Sequence, residues 1–265
     1  MLRRAKALGG YKLRARDGDI GKVNEFYFDD ASWAVRYLVA DTGNWLSGRL
    51  VLISPHALDS ANDDGKIIPV DLTKKQIEDS PSLDTDRPVS RRYESSYFRY
   101  YGWPMYWYGP YMWGPTGYPA RDRGTSPEPA RHEDTDDPHL RSTRDVSGHH
   151  LHAQDGEIGH VEDFVIDDET WAIRYLVIDT RNWWPGKKIL VSPHWIDRVS
   201  WSDAQVVINL PRETIKQAPA YTEGALISRA YEAALHRHYH REGYWAGAPA
   251  GQNEQDADGS VHARA

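Results

Sequence analysis

The chain has 265 residues, no cysteine, and a formal net charge of −7 from 39 acidic and 32 basic residues. The absence of cysteine excludes disulfide bonds, thiolate zinc sites and cysteine nucleophiles. The acidic balance disfavours non-specific nucleic-acid binding, which depends mainly on lysine and arginine contacts with phosphates.

Long apolar segments are missing from the sequence. The chain contains no run of about 18 apolar residues, which is the length needed to cross a bilayer. The basic N-terminal stretch lacks the apolar region that a signal peptide needs. We therefore expect a cytoplasmic protein.

The first predicted elements are short strands. The Asp17-Gly18 dipeptide is typical of a hairpin turn, and apolar residues recur through Phe28 after it. Further strands are predicted from runs of β-branched, apolar and aromatic residues at 33–40, 50–53 and 67–70. Thr73 with Gln76 three residues later is a capping-box pattern, which predicts a short helix. This order indicates a small antiparallel barrel or sandwich that ends in a helix.

A second helix is predicted from residue 90 to about residue 100, where Tyr93, Tyr97 and Tyr100 recur at helical spacing. The segment 93–119, called here the aromatic tract, is dense in tyrosine and tryptophan. Glycine and proline interrupt it after Tyr101, so the helix cannot continue. Segment 114–147 is then crowded with proline, glycine and charged residues, which is typical of a disordered linker.

Much of the chain consists of an internal sequence repeat. "WAVRYLVADTGNW" begins at Trp33 and "WAIRYLVIDTRNW" begins at Trp171. The same shift, which places Asp17 on Asp155, aligns 14–58 with 152–196 without a gap and continues into the predicted helices. Two copies are too few for a solenoid, so we infer a duplicated globular unit. In the second copy Pro211 is expected at the first helical position, a further helix is expected at 228–240, and a disordered tail is expected after residue 246.

The repeated polar residues have structural interpretations. Aspartate at a turn accepts backbone N–H bonds, and glycine tolerates unusual dihedral angles. Arg36 and Arg174 lie inside apolar strands. Two interpretations are open: each arginine faces outward, or it is buried and pairs with a nearby aspartate such as Asp41 or Asp30. The predicted turn and strand residues are Asp17, Gly18, Gly21, Arg36 and Asp41, with their copies Asp155, Gly156, Gly159, Arg174 and Asp179.

The segments "DGDIGKVNEFYFDDASWAVRYLVADT" and "DGEIGHVEDFVIDDETWAIRYLVIDT" resemble the core of the PRC-barrel family. This small β-barrel domain occurs in the H subunit of photosynthetic reaction centres and in a bacterial ribosome-maturation factor. The resemblance covers roughly 8–78 and 146–216, and a tandem layout of this kind is similar to bacterial members. It implies a module without catalytic activity that docks onto larger assemblies.

We accordingly predict a mainly β protein with two small antiparallel barrels in tandem, each followed by short helices. The predicted divisions are a first barrel at 1–80, a helix, aromatic tract and linker at 81–145, a second barrel at 146–219, and a helix and tail at 220–265. The predicted function is a scaffold or adaptor with a protein partner, without cofactor, metal or catalytic residues. The two barrels are expected to pack together within the chain or to form a homo-oligomer.

The aromatic tract is the predicted docking segment, because tyrosine and tryptophan supply large contact areas at low entropic cost. It has two alternative interpretations: a cover over an exposed barrel face, or a peripheral anchor at a membrane surface. The second copy, with "REGYWAGAPAG" from Arg241, is interpreted as lacking it. The interaction candidates are Tyr97, Tyr101, Trp103, Tyr106, Trp107, Tyr108, Tyr111 and Trp113.

Other chemistry remains as alternatives. Ser54 with His56, and their copies Ser192 and His194, form Ser-Pro-His segments that could serve a hydrolase, although no nucleophile elbow accompanies them. RNA or ribosome association rests on family analogy alone, and no DNA binding is expected. Two histidine groups could hold a metal if folding supplied a further ligand: His236 with His240, and the cluster at 149–152.

Overall fold

The computed structural model describes residues 1–82, 89–121, 139–180 and 187–246. These residues form two related units, and "first unit" and "second unit" refer here to the described residues up to 121 and from 139. Each unit is built around a long strand of 12 residues that follows the Asp-Gly turn. The predicted disorder of the linker around 122–138 and of the tail after residue 246 concerns residues outside the described ranges.

The elements of the first unit follow the predicted order, except that the strand and the helix at its start were not predicted. They are β1 (Leu2–Arg4), α1 (Ala5–Leu8), β2 (Lys12–Ala15), β3 (Gly18–Asp29), β4 (Ala34–Asp41), β5 (Leu50–Ile53), β6 (Ile67–Pro69), α2 (Lys74–Glu78) and α3 (Arg91–Tyr101). A 3₁₀ turn, Pro55–Ala57, follows β5. The capping box predicted at Thr73 is present at the start of α2.

The second unit repeats this order with one more strand. Its elements are β7 (Leu140–Ser142), α4 (Thr143–Val146), β8 (His150–Ala153), β9 (Gly156–Asp167), β10 (Ile173–Asp179), β11 (Lys188–Val191), β12 (Ile196–Ser200), β13 (Gln205–Ile208), α5 (Arg212–Lys216) and α6 (Arg229–His238). Pro211 is the N-cap of α5, one position before its expected place. The sequence predicts a linker where β7 and α4 are found. These two elements form because segment 140–146, although polar, is the repeat of β1 and α1.

Each unit contains one curved sheet. The strand order is β5-β4-β3-β2-β6 in the first unit and β11-β10-β9-β8-β13-β12 in the second. Most neighbours are antiparallel, but β2 pairs with β6, and β8 with β13, in parallel. Within the described residues, no ladder joins β5 to β6, and the 3₁₀ turn and Leu58, which bridges to Val70, span that gap. The mainly β prediction is confirmed, whereas a closed, wholly antiparallel barrel is not.

The two units exchange their first strands. Strand β1 of the first unit pairs with β9 of the second, and β7 of the second unit pairs with β3 of the first. The N–H of Val35 donates to the carbonyl of Trp171 at 2.8 Å, and the N–H of Ile173 donates to the carbonyl of Trp33 at 2.7 Å. These contacts are equivalent under the repeat, so a pseudo-two-fold axis relates the units, as in an isologous dimer.

Apolar side chains continue across the boundary between the units. The ring of Phe28 lies 5.3 Å from that of Trp33 and 5.6 Å from that of Phe164, between ring centroids. Trp171 packs in the same way against Phe26, at 6.4 Å. One buried cluster therefore includes residues of both sheets. No helix within the four described ranges is long and apolar enough to span a membrane.

Candidate functional site

The aromatic tract begins as helix α3, which lies against the sheet of the first unit. The hydroxyl of Ser90 accepts a hydrogen bond from the N–H of Tyr93 at 3.1 Å and caps the helix start. Gly102, in the left-handed conformation with φ of 72°, ends it. The hydroxyl of Tyr97 donates to the carbonyl of Leu52 and accepts from the N–H of Ser54, both at 3.0 Å. Helix α3 is therefore attached to the chain on either side of the end of β5.

The predicted interaction residues divide by exposure. Trp107 and Tyr108 are half-buried, and Tyr111 is 61% exposed. The remaining five are buried: Tyr97, Tyr101, Trp103, Tyr106 and Trp113. Most of the tract thus covers the first unit. Among the eight predicted residues, Tyr111 at the tip of the tract is the most exposed.

Arg36 is held inside this aromatic layer. Its guanidinium lies 3.7 Å from the ring centroid of Tyr106 and 4.8 Å from that of Trp113. It donates to the carbonyl of Met112 at 2.7 Å and to the hydroxyl of Ser32 at 2.9 Å. The carboxylate that faces it is Asp29, at 3.6 Å, and not the predicted Asp30 or Asp41. The side chain is only 2% exposed, so it faces inward.

A buried carboxylate, Glu94 on α3, connects the tract to β4. It accepts hydrogen bonds from the hydroxyls of Tyr37 at 3.0 Å and Tyr106 at 2.8 Å. Arg91 Nη1 at 3.1 Å and His139 Nε2 at 2.8 Å complete its surroundings. Burial and then the Glu94 carboxylate raise the pKa of the Tyr37 and Tyr106 hydroxyls well above the usual value. The carboxylate itself is closed to solvent, and the network positions α3.

The second unit contains the same network, which the sequence interpretation missed. Glu232 on α6 accepts from the hydroxyls of Tyr175 at 2.9 Å and Tyr244 at 3.0 Å, and pairs with Arg229 at 2.9 Å. Arg174 lies 3.9 Å above the ring of Tyr244 and pairs with an aspartate, Asp167, as Arg36 does. The signal was present in the sequence, because Tyr106-Trp107 and Tyr244-Trp245 are related by the repeat shift. The repeat therefore extends through the start of the tract.

The Ser54 and His56 side chains are in contact, as the hydrolase alternative requires. The hydroxyl of Ser54 lies 3.0 Å from His56 Nδ1. However, Ser54 is fully buried, so a substrate could not reach its hydroxyl. Burial lowers the pKa of His56 to about 3. In the second unit the copy His194 is exposed while Ser192 is buried, so the pair is not repeated.

The histidines considered as metal ligands do not converge. Helix α6 ends at His238, so His236 and His240 do not share a helix face. Both ring nitrogens of His236 are already in contact, with the Tyr175 hydroxyl and the Glu242 carbonyl. The ring of His150 contacts Glu157 at 2.8 Å. Among the described residues, no group of three or more His, Asp or Glu side chains is arranged to hold a metal ion.

The repeated turn residues connect strands to helices. Asp17 Oδ1 accepts from the N–H of Lys74 and Asp155 Oδ1 from that of Arg212, each at 2.8 Å, so each Asp-Gly turn caps a helix start. Asp41 accepts from the N–H of Gly43 at 2.9 Å. Strands β3 and β9 begin at the glycines of these turns, Gly18 and Gly156. Asp179, the counterpart of Asp41 in the second unit, is fully buried at the end of β10.

The tip of the tract is anchored to the second unit. Trp113 Nε1 donates to the carbonyl of Thr170 at 2.8 Å, and the N–H of Trp113 donates to Thr116 at 2.9 Å. This tight turn presents Tyr111 and Tyr118, which are 61% and 57% exposed. Two large aromatic side chains therefore remain in solvent beside the junction of the two units.

Comparison with known proteins gives one result. A family model described as PRC-barrel domain matches residues 3–77 and 151–215, which is more than half of the chain. The two matches cover most of the strands of both sheets. A search of curated proteins found no match.

Proposed function

Because the chain belongs to the PRC-barrel domain family, we propose that it is a non-catalytic, cytoplasmic scaffold that docks onto a larger protein assembly. A PRC-barrel domain suggests a protein-interaction module. The exchanged strands and the two buried glutamate networks would make the two units a rigid platform. The partner in this proposal is a protein that contacts the platform on one side.

The observation that carries this proposal is the anchored turn at the tip of the aromatic tract. Tyr111 and Tyr118 stay exposed although the neighbouring Trp113 is fully buried and bonded to Thr170. Exposed tyrosines on a fixed backbone suit protein recognition, because little conformational entropy is lost when they bind. We therefore place the docking surface around these two side chains.

The test compares three full-length proteins as bait in a chemically crosslinked cytoplasmic extract from the native cell. These are the wild type, the double variant Tyr111→Ser/Tyr118→Ser, and Leu226→Ser. Leu226 is a matched control because it is an apolar side chain, 67% exposed, in the second unit. We expect the wild type and the control to capture the same partner, and the double variant to capture at least about tenfold less.

Equal capture by all three baits would exclude docking through the tip. A wild-type bait that captures no protein would overturn the scaffold proposal, and flotation with vesicles would then test the membrane alternative. The hydrolase alternative has less support, since the Ser54 hydroxyl is fully buried. RNA association has no support beyond analogy, given the net charge of −7.

A further inference from the structure

A cleft of about 410 Å³ lies in the first unit, where Trp103 of the aromatic tract meets residues that follow β2, β5 and β6. Its volume falls in the range of about 300 to 1,000 Å³ typical of small-molecule sites. The scaffold role does not use this cleft. The polar side chains that line it are Arg16, His56, Asp71, Gln76 and Arg121, beside the ring of Trp103.

The buried part of this lining holds a polar atom without a partner. His56 is 2% exposed and its ring stacks on Trp103 with centroids 5.3 Å apart. Nδ1 contacts the Ser54 hydroxyl at 3.0 Å, whereas Nε2 is buried and makes no hydrogen bond to any described residue. If the Ser54 hydroxyl donates to Nδ1, then Nδ1 is the acceptor nitrogen, and the single N–H proton of the neutral ring lies on Nε2. His56 Nε2 then requires an acceptor.

The outer part of the lining supplies further donors. Arg16 directs Nε and Nη2 to a single oxygen of Asp71, at 2.7 Å, so other N–H groups of its guanidinium remain available. Arg121 bonds through Nη2 to Asp59 and to the carbonyl of Leu58. Gln76 uses its amide oxygen to cap α2, which leaves its amide nitrogen as a donor. Both arginine pairs are about half exposed and compete only weakly with a ligand.

The second unit does not repeat this chemistry. Gln154 and Asn209 occupy the positions of Arg16 and Asp71 and hydrogen-bond to each other. Arg241 stands in the place of Trp103, and the copy of His56 is exposed. By contrast, the glutamate, the two tyrosines and the arginine of the glutamate network recur in both units. The cleft is therefore a feature of one unit and is not part of the shared scaffold.

We propose that this cleft binds a small organic anion, whose carboxylate or phosphate oxygens accept hydrogen bonds from His56 Nε2, Arg16 and Arg121. The arginine guanidinium groups match the planar geometry of such oxygens. The buried imidazole satisfies its free nitrogen by the same contact. The ligand enters from the side on which the arginines are exposed.

Calorimetric titration of the full-length protein with inorganic phosphate and, separately, with citrate tests this proposal. The ¹⁵N shift of His56 Nε2 is followed in parallel as a report of hydrogen bonding at that atom. The variants are Arg16→Gln and Arg121→Gln, both at half-exposed side chains, with Arg198→Gln as an exposed arginine control in the second unit. We expect saturable binding of at least one anion, a shift at His56 Nε2, and at least about tenfold weaker binding in both cleft variants only.

The preferred probe distinguishes a phosphate ligand from a carboxylate ligand. The proposal is overturned if neither anion binds up to about 10 mM, which corresponds to less than about 3 kcal/mol of binding free energy. It is also overturned if binding leaves His56 Nε2 unchanged, or if Arg198→Gln weakens binding as much as the cleft variants do.

Discussion

His56 and His194 occupy the same position in the repeat but have different surroundings. His56 lies under Trp103, with the edge of Trp113 5.0 Å away between ring centroids. His194 is exposed, and Arg241 stands in the place of that tryptophan. Burial disfavours the charged imidazolium, and it lowers the pKa of His56 to about 3. The aromatic tract thus determines the protonation of a residue in the strand-to-turn segment beneath it.

We predict that His56 makes folding stability depend on pH. An unfolded histidine has a pKa of about 6.5, whereas folded His56 has one of about 3. Between these values the unfolded chain binds the proton and the folded chain does not, so stability falls as the pH falls through this window. The contribution is about 1.4 kcal/mol for each pH unit. Urea unfolding of the wild type and of His56→Gln between pH 7 and pH 5 measures it.

His56→Gln should be less stable at pH 7, since it loses the ring contacts, but its stability should change less with pH. His194→Gln is the matched control and should keep the wild-type dependence. Identical pH profiles for the wild type and His56→Gln would contradict the burial of a neutral histidine.

The long strands β3 and β9 depend on a glycine near their start. A methyl group placed on Gly21 would lie 2.0 Å from the carbonyl oxygen of Asp41, and one on Gly159 would lie 2.1 Å from that of Asp179. Gly21 also has a φ of 137°, which other residues rarely adopt. The ends of β4 and β10 therefore approach the backbone of the preceding strand too closely for any side chain.

We predict that Gly21→Ala and Gly159→Ala each lower the free energy of unfolding by at least about 2 kcal/mol, because the backbone must move to admit the methyl group. Chemical denaturation measures this loss. Gly117→Ala is the control, since a methyl group at that position would meet no atom within 4 Å. If both strand variants were as stable as the wild type, the strand pairs β3–β4 and β9–β10 could move apart without a loss of free energy, which would contradict the prediction.

Periodicity and turn residues were enough to predict the main elements. The Asp-Gly turns, the strand Leu50–Ile53 and the capped helix at Thr73 are found where local sequence chemistry placed them. The parallel pairing of β2 with β6 was not predictable, since register between distant segments depends on tertiary packing. Strand β7 was missed for a related reason. The polar residues Arg141 and Ser142 look like linker, and they form a strand only because β3 offers an edge.

The candidate site was less predictable than the fold. Composition identified the aromatic tract, but the burial of Trp113 and the exposure of Tyr111 follow from the anchor at Thr170 in the other unit. Similarly, Arg36 was recognised as unusual, whereas its enclosure by Tyr106 and Trp113 requires contacts between residues far apart in the chain. Local patterns carry no direct information on such contacts.

At the scale of the whole molecule, the exchanged strands connect the stability of one unit to that of the other. Arg4 of β1 donates to Asp163 of β9 at 2.7 Å, and Asp163 is only 1% exposed. Arg3 pairs in the same way with Asp168 of the second unit at 2.7 Å. Two ion pairs therefore bind the start of the chain to the second unit.

We predict that Arg4→Gln lowers the stability of the second unit by about 3 kcal/mol, because it leaves a buried carboxylate without its charge partner. Native-state hydrogen exchange should accelerate in β9 and β10 more than in β4 and β5. Arg14→Gln, which removes an exposed pair with Asp19 inside the first unit, should leave the stability close to that of the wild type. Equal acceleration in both units, or none, would contradict this arrangement.

The internal two-fold relation frees this chain from a constraint on true dimers. In a homodimer every substitution appears on both subunits, so a one-sided surface cannot arise without a second gene. Here the two halves are covalently joined and can vary separately. Trp103 can cover one histidine while Arg241 leaves the other exposed. The symmetry thus maintains the shared framework, and the covalent fusion allows the surfaces of the two units to differ and to serve different functions.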